Sequence, residues 1–171
     1  MPISSPPGIL LNTWYTATYD SDSQAFQNYT TSLNVNSPRQ AQRKTLDNKK
    51  VTAVTFKLSK NGSPTGSIYC RIRKVSDDSI IQESDAIDAA TLTTVLTDKT
   101  FNFSNPVTIN EEVRISCEYP GGDVNNYIWI ACQNTDVKSG ELRSEYTTSW
   151  TDFSSFDMYY ILFTAINIKF I

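Results

Sequence analysis

The chain has 171 residues, a formal net charge of −3, three cysteines and no histidine. That length suits one domain and buries roughly 70% of the unfolded chain's surface, so neither metal nor disulfide is needed to hold a core. The missing histidine removes the commonest general base, the triads built on it and most zinc sites. Basic residues are scattered except near Arg39 to Lys50, so the concentrated footprint of a nucleic-acid binder is absent and no such partner is expected.

At the N-terminus, Met1-Pro2-Ile3-Ser4-Ser5-Pro6-Pro7 shows no charged segment followed by an apolar core, and no signal peptide is expected. Residues 1–36 hold three of the seven prolines, an apolar stretch Ile9-Leu10-Leu11, then Trp14 and Tyr15. They are read as an N-terminal arm with one or two strands of its own, the domain proper covering 37–171. The arm packs either on its own subunit or on a neighbour; both stay open.

From Arg39 on, alternation with a period of two dominates. Val54, Phe56 and Leu58 share one strand face. Asn61-Gly62-Ser63-Pro64-Thr65-Gly66 carries turn chemistry, and Ile68, Cys70 and Ile72 then point inward. A short strand is expected at Ile80 to Glu83, and Asp85 to Leu96 is left as a loop or helical turn. Further strands are expected at Phe101 to Phe103, at Glu111 to Tyr119 and at Tyr127 to Cys132. Tyr127 to Cys132 is apolar on both faces, which places Trp129 in the core. Pro120-Gly121-Gly122-Asp123 is a turn. Glu141 to Tyr146 is read as part of a hairpin, and Met158 to Ile171 as one long final strand with Ile166, Ile168 and Phe170 on one face. Eight to ten short strands with turn signals between them describe an all-β, jelly-roll-like antiparallel β-sandwich with an N-terminal arm. No apolar run is long enough for a membrane-spanning helix. Cys70 and Cys117 alternate with apolar neighbours and read as buried thiols; a Cys117–Cys132 bridge is the weaker alternative.

Two groups of segments carry a family resemblance. One is Val51 to Leu58 followed by Gly62-Ser63-Pro64-Thr65-Gly66-Ser67-Ile68. The other is Thr91-Leu92-Thr93-Thr94 followed by Phe101 to Ser104 and Pro106-Val107-Thr108-Ile109. Together they resemble the choice-of-anchor type of jelly-roll module found in prokaryotic surface proteins and in phage and archaeal virus proteins. The resemblance spans roughly residues 39–165. It implies a non-catalytic extracellular or virion module, similar in shape to carbohydrate-binding modules.

Candidate residues fall into three groups. Exposed aromatics on loops stack on sugar faces or anchor protein partners, which singles out Tyr146 and Trp150 in the polar stretch Ser144 to Ser155, with Tyr119 and Tyr127 flanking the Pro-Gly-Gly turn. Acidic pairs Asp20/Asp22, Asp77/Asp78 and Glu111/Glu112 leave a structural calcium open. None has the spacing of a dedicated calcium loop, the default is solvated turn charge, and no other cofactor is expected. A sandwich also has exposed edges, and Ile9, Leu10, Leu11 and Trp14 suit pairing with a neighbour by strand addition. The expectation is therefore a non-enzymatic structural protein of a virion, in the capsid, a decoration or the tail. It would associate with further copies of itself or with other virion proteins. The alternative is an extracellular or cell-surface carbohydrate-binding module with a glycan partner. A glycosidase would need two facing carboxylates, and no pair is selected.

Overall fold

The computed structural model describes residues 19–165. Thirteen strands and one 3-10 turn make up its regular structure, and every strand pairing is antiparallel. The strands are β1 (Tyr19–Gln24), β2 (Tyr29–Leu33), β3 (Arg39–Asn61), β4 (Ser67–Lys74), β5 (Ile80–Glu83), β6 (Ile87–Asp88) and β7 (Thr97–Asn102). They continue with β8 (Thr108–Glu118), β9 (Tyr127–Gln133), β10 (Leu142–Tyr146), β11 (Trp150–Phe153), β12 (Asp157–Met158) and β13 (Tyr160–Ala165).

β3 organises the fold. A straight strand of its 23 residues would run about 75 Å, while a domain of this size is only about 40 Å across. The strand therefore has to bend. Its pairing with β8 slips between Leu46 and Lys49, where Asn48 takes a φ of 52°. Its pairing with β13 slips again opposite Phe163 and Thr164. Such bulges let one strand turn from one layer into another. The first half of β3 lies between β8 and β10, and β4, β5 and β11 extend that layer. The second half lies among β7, β9 and β13, and β1 and β2 extend this other layer. The result is a two-layer, sandwich-like sheet folded across its longest strand.

The core is apolar where the sequence alternates most cleanly. Val54, Phe56 and Leu58 meet Ile68, Cys70, Ile72, Val113, Ile115, Ile128 and Ile130, all fully buried. Phe56 and Phe101 pack edge to face at 6.0 Å. The turn after β3 is as its residues require: Gly62 has φ 69° and an added Cβ there would sit 2.4 Å from the Asn125 carbonyl oxygen.

Elsewhere the interior is polar. Gln40, Gln42 and Lys44 share the inward face of the first half of β3 and are almost completely buried. Gln40 donates to Ser37 Oγ at 2.7 Å and accepts from Arg143 at 2.8 Å. Gln42 donates to Asp157 at 2.8 Å and accepts from the Met158 amide at 2.7 Å. Lys44 reaches Glu141 at 2.8 Å, the Tyr160 hydroxyl at 2.9 Å, and Asp22 on β1. Gln42 and Lys44 thereby fasten one layer to the other.

Several expectations change. The stretch read as an arm divides: β1 and β2, within 19–36, pair with β13 and β9 of the same chain, so the sheet begins well before residue 37. The final segment is not one strand up to Ala165, because β12 pairs with β9, Tyr159 intervenes, and β13 pairs with β3. Ile166, Ile168 and Phe170 lie outside the described residues. Trp129 is half-buried rather than core: Ile128 and Ile130 fill the inward positions, so alternation turns the indole outward, edge-on to Tyr127 at 5.0 Å.

Candidate functional site

Two surfaces merit attention, one on the outward face of each layer. The first is built on β11, β10, β3, β8, β4 and β5. Register places Tyr146 beside Arg39, Ser144 beside Ala41, and Trp150 beside Tyr146. The polar stretch expected as a loop is thus mostly the β10–β11 hairpin. Its two aromatics meet edge-on at 5.3 Å. Arg39 lies 4.2 Å from the centre of the Tyr146 ring and Arg114 lies 5.0 Å from that of Trp150. The Trp150 indole N–H donates to Asp78 Oδ1 at 2.8 Å, across the sheet face. Asp78 itself sits in the β4–β5 turn with φ 61°.

Around this pair runs a lattice of charge. Arg73 and Arg71 both hold Glu118, at 2.6 and 2.5 Å. Arg43 bridges Glu112 at 2.7 Å and Asp152 at 2.5 Å, and Arg39 meets Asp78 at 2.8 Å. Burial pushes the Glu118 carboxyl up, but hydrogen bonds from Arg73, Arg71 and Ser116 outweigh it and hold it below the usual carboxylate range. Asp152 follows the same pattern, its burial outweighed by Ser144, Arg43 and Arg114. With each of these arginines matched to a carboxylate, the face has no surplus positive charge for an anion. What it offers a ligand is the pair of fixed rings.

Tyr119 and Tyr127 do not join them. Tyr119 is fully buried beneath the Pro-Gly-Gly turn, its hydroxyl donating to the Thr65 carbonyl at 2.8 Å, and a Cβ on Gly121 or Gly122 would press on its ring. It continues the inward face of Val113, Ile115 and Cys117 at a spacing of two. Tyr127 is half-buried on β9 and packs on Trp129.

The second surface is a groove of about 570 Å³ lined by Thr52, Ala53, Thr100, Asn102, Phe103 and Phe163. Ala53 is flanked in register by Asn102 on β7 and Phe163 on β13, so the small side chain forms the floor between larger walls. Sequence reasoning missed it: its residues come from three separate segments, and only the pairing brings them together. No family model matches the chain, and no curated protein matches its sequence.

The β1–β13 pair borders the groove. Tyr19, the first residue of β1, pairs with Ala165, the last of β13, and Ser21 pairs with Phe163 of the groove wall. Among the described residues β1 pairs with β13 alone. The assembly candidates Ile9, Leu10, Leu11 and Trp14 lie outside the described residues. Among the described residues, no three or more acidic or cysteine side chains cluster to hold a metal ion, and no helix is long and apolar enough to cross a membrane.

Proposed function

We propose that the protein is a non-enzymatic structural component of a virion, a jelly-roll-type sandwich that assembles with further copies of itself. In this reading the apolar residues Ile9, Leu10, Leu11 and Trp14 of one copy occupy the Phe103–Phe163 groove of the next, beside its β1 edge. The observation that carries it is the closeness of β1 to the groove. Among the described residues β1 pairs with β13 alone, and the apolar groove borders that pair in the same layer. An exposed sheet edge that an extended apolar segment can join is what strand addition uses. The jelly-roll topology is supported by β3 pairing with strands far from it in sequence, β8 and β13. Asp22, Glu118 and Asp152 are each engaged in ion pairs with lysines or arginines, which supports a structural role for them. Placement in a virion rests on the family resemblance of the turn and strand segments.

Sedimentation velocity tests assembly. The full chain is expected to associate with rising concentration, and a chain lacking residues 1–18 to stay monomeric. A full chain that remains a monomer at high concentration would sink the reading.

The adjacency of Tyr146 and Trp150 favours a second reading, a glycan-binding module, because two rigid rings side by side form a platform for a sugar face. Its test is a glycan array with native protein and Trp150→Ala: binding that disappears in the variant supports it.

A further inference from the structure

We propose that Cys70 and Cys117 become joined as a disulfide across β4 and β8 when the chain folds in the presence of a disulfide oxidant. The two residues are direct partners in register, on the inward face of the same layer. Which kind of partners they are follows from Cys70's backbone. Its amide donates to Ser84 Oγ at 3.0 Å and its carbonyl accepts from the Ser84 amide at 2.9 Å. Ser84 directly follows β5, so both backbone groups of Cys70 point to the β5 side and away from β8. Its neighbour Arg71 shows the opposite orientation, its carbonyl accepting from Ser116 Oγ of β8 at 3.0 Å. Cys70 and Cys117 are therefore a non-hydrogen-bonded pair, the kind whose Cα atoms lie about 4.5 Å apart with side chains closest. A disulfide spans Cα separations of about 4.4–6.8 Å. The third thiol, Cys132, sits on β9 in register with Tyr29 and Met158, and with neither Cys70 nor Cys117.

Burial sets the order of events. All three cysteines are buried and free, and burial pushes the thiols of Cys70 and Cys117 well above their ordinary value. Exchange proceeds through thiolate, so the folded, reduced core reacts slowly and the bond forms as β4 and β8 pair, before the rest of the core covers them. One cysteine thiolate attacks a sulfur of a small disulfide such as oxidised glutathione and displaces one glutathione thiolate. The second cysteine thiolate then attacks the protein sulfur of that mixed disulfide and displaces the other. The two cysteines lose two protons and two electrons, and the oxidant ends as two thiols.

The test uses the full chain, refolded from denaturant with mixed reduced and oxidised glutathione, then alkylated in denaturant and mapped without reduction. The expected result is one alkylated cysteine, Cys132, and a linked peptide pair containing Cys70 and Cys117. The already folded, reduced chain should acquire the link about tenfold or more slowly. Three alkylated cysteines in chain that has regained its strand signal by circular dichroism overturn the proposal, as does a link that includes Cys132. Equal rates for folded and refolding chain overturn the order of events.

Discussion

Glu118 shows how a polar outer face can be structural. Its side chain is 3% exposed, and it receives Arg71, Arg73 and Ser116 at once. Replacing it removes the carboxylate that Arg71 and Arg73 share, leaving Glu83 to Arg71 and Asp78 to Arg73, whose side chain is only 8% exposed. Breaking a buried pair from one side costs about 3–5 kcal/mol, while an exposed pair contributes about 0–1 kcal/mol. Glu118→Gln is therefore expected to lower the unfolding free energy in urea by about 3 kcal/mol. Glu112→Gln, at a side chain 41% exposed, should change it by about 0.5 kcal/mol or less. Asp22 gives the corresponding pH dependence. Burial pushes its carboxyl up, but Lys138 and Lys44 outweigh this and hold it at about 2, from an ordinary 3.8. A carboxylate depressed on folding stabilises the fold above its unfolded value, and that contribution is lost as pH falls through the folded one. Thermal midpoints should hold from pH 6 to about 4 and fall between about 4 and 2. In Asp22→Asn that fall should be shallower. A midpoint that is flat down to pH 2 would refute the pairing of Asp22 with its lysines.

At the scale of the element, β3 depends on the conformation of one exposed residue. Asn48 adopts a left-handed φ of 52° in the bulge that lets the strand change direction. Asparagine tolerates that region and glycine does so freely, whereas a β-branched residue is strained there. Asn48→Val is expected to destabilise by about 1–2 kcal/mol and Asn48→Gly by about 0.5 kcal/mol or less, read as urea midpoints at constant slope. The second half of this strand is legible in the sequence: Val54, Phe56 and Leu58 alternate, and Gly62 marks the turn. The first half is not. Arg39 to Lys50 reads as a basic surface cluster, because nothing local shows that Gln40, Gln42 and Lys44 face inward. Most of their partners, Arg143, Asp157, Glu141 and Tyr160, lie about a hundred residues away, and such partners make burial of an amide or ammonium tolerable. The same limit applies to the sites. Tyr146 and Trp150 stand out as aromatics in a polar stretch, and the structure places them together. The groove floor at Ala53 carries no sequence signal, since a small residue acquires its role only from Asn102 and Phe163 on either side.

For the molecule as a whole, the usual expectation of a sandwich is two sheets meeting through side chains alone. Here one backbone runs through both, and Lys44, Gln42 and Gln40 tie its first half to β1, β12 and the Arg143 side chain of β10. Detaching either layer would tear out hydrogen bonds on both edges of β3. Amides of β8, in one layer, and β9, in the other, are therefore expected to exchange with solvent deuterium only through a shared global opening. Their exchange free energies should agree, and both should follow the urea dependence of complete unfolding. A particle assembled from such subunits would have no internal hinge at which one half of the subunit could yield. In the assembly proposed above, imposed strain would pass to the contacts between neighbours.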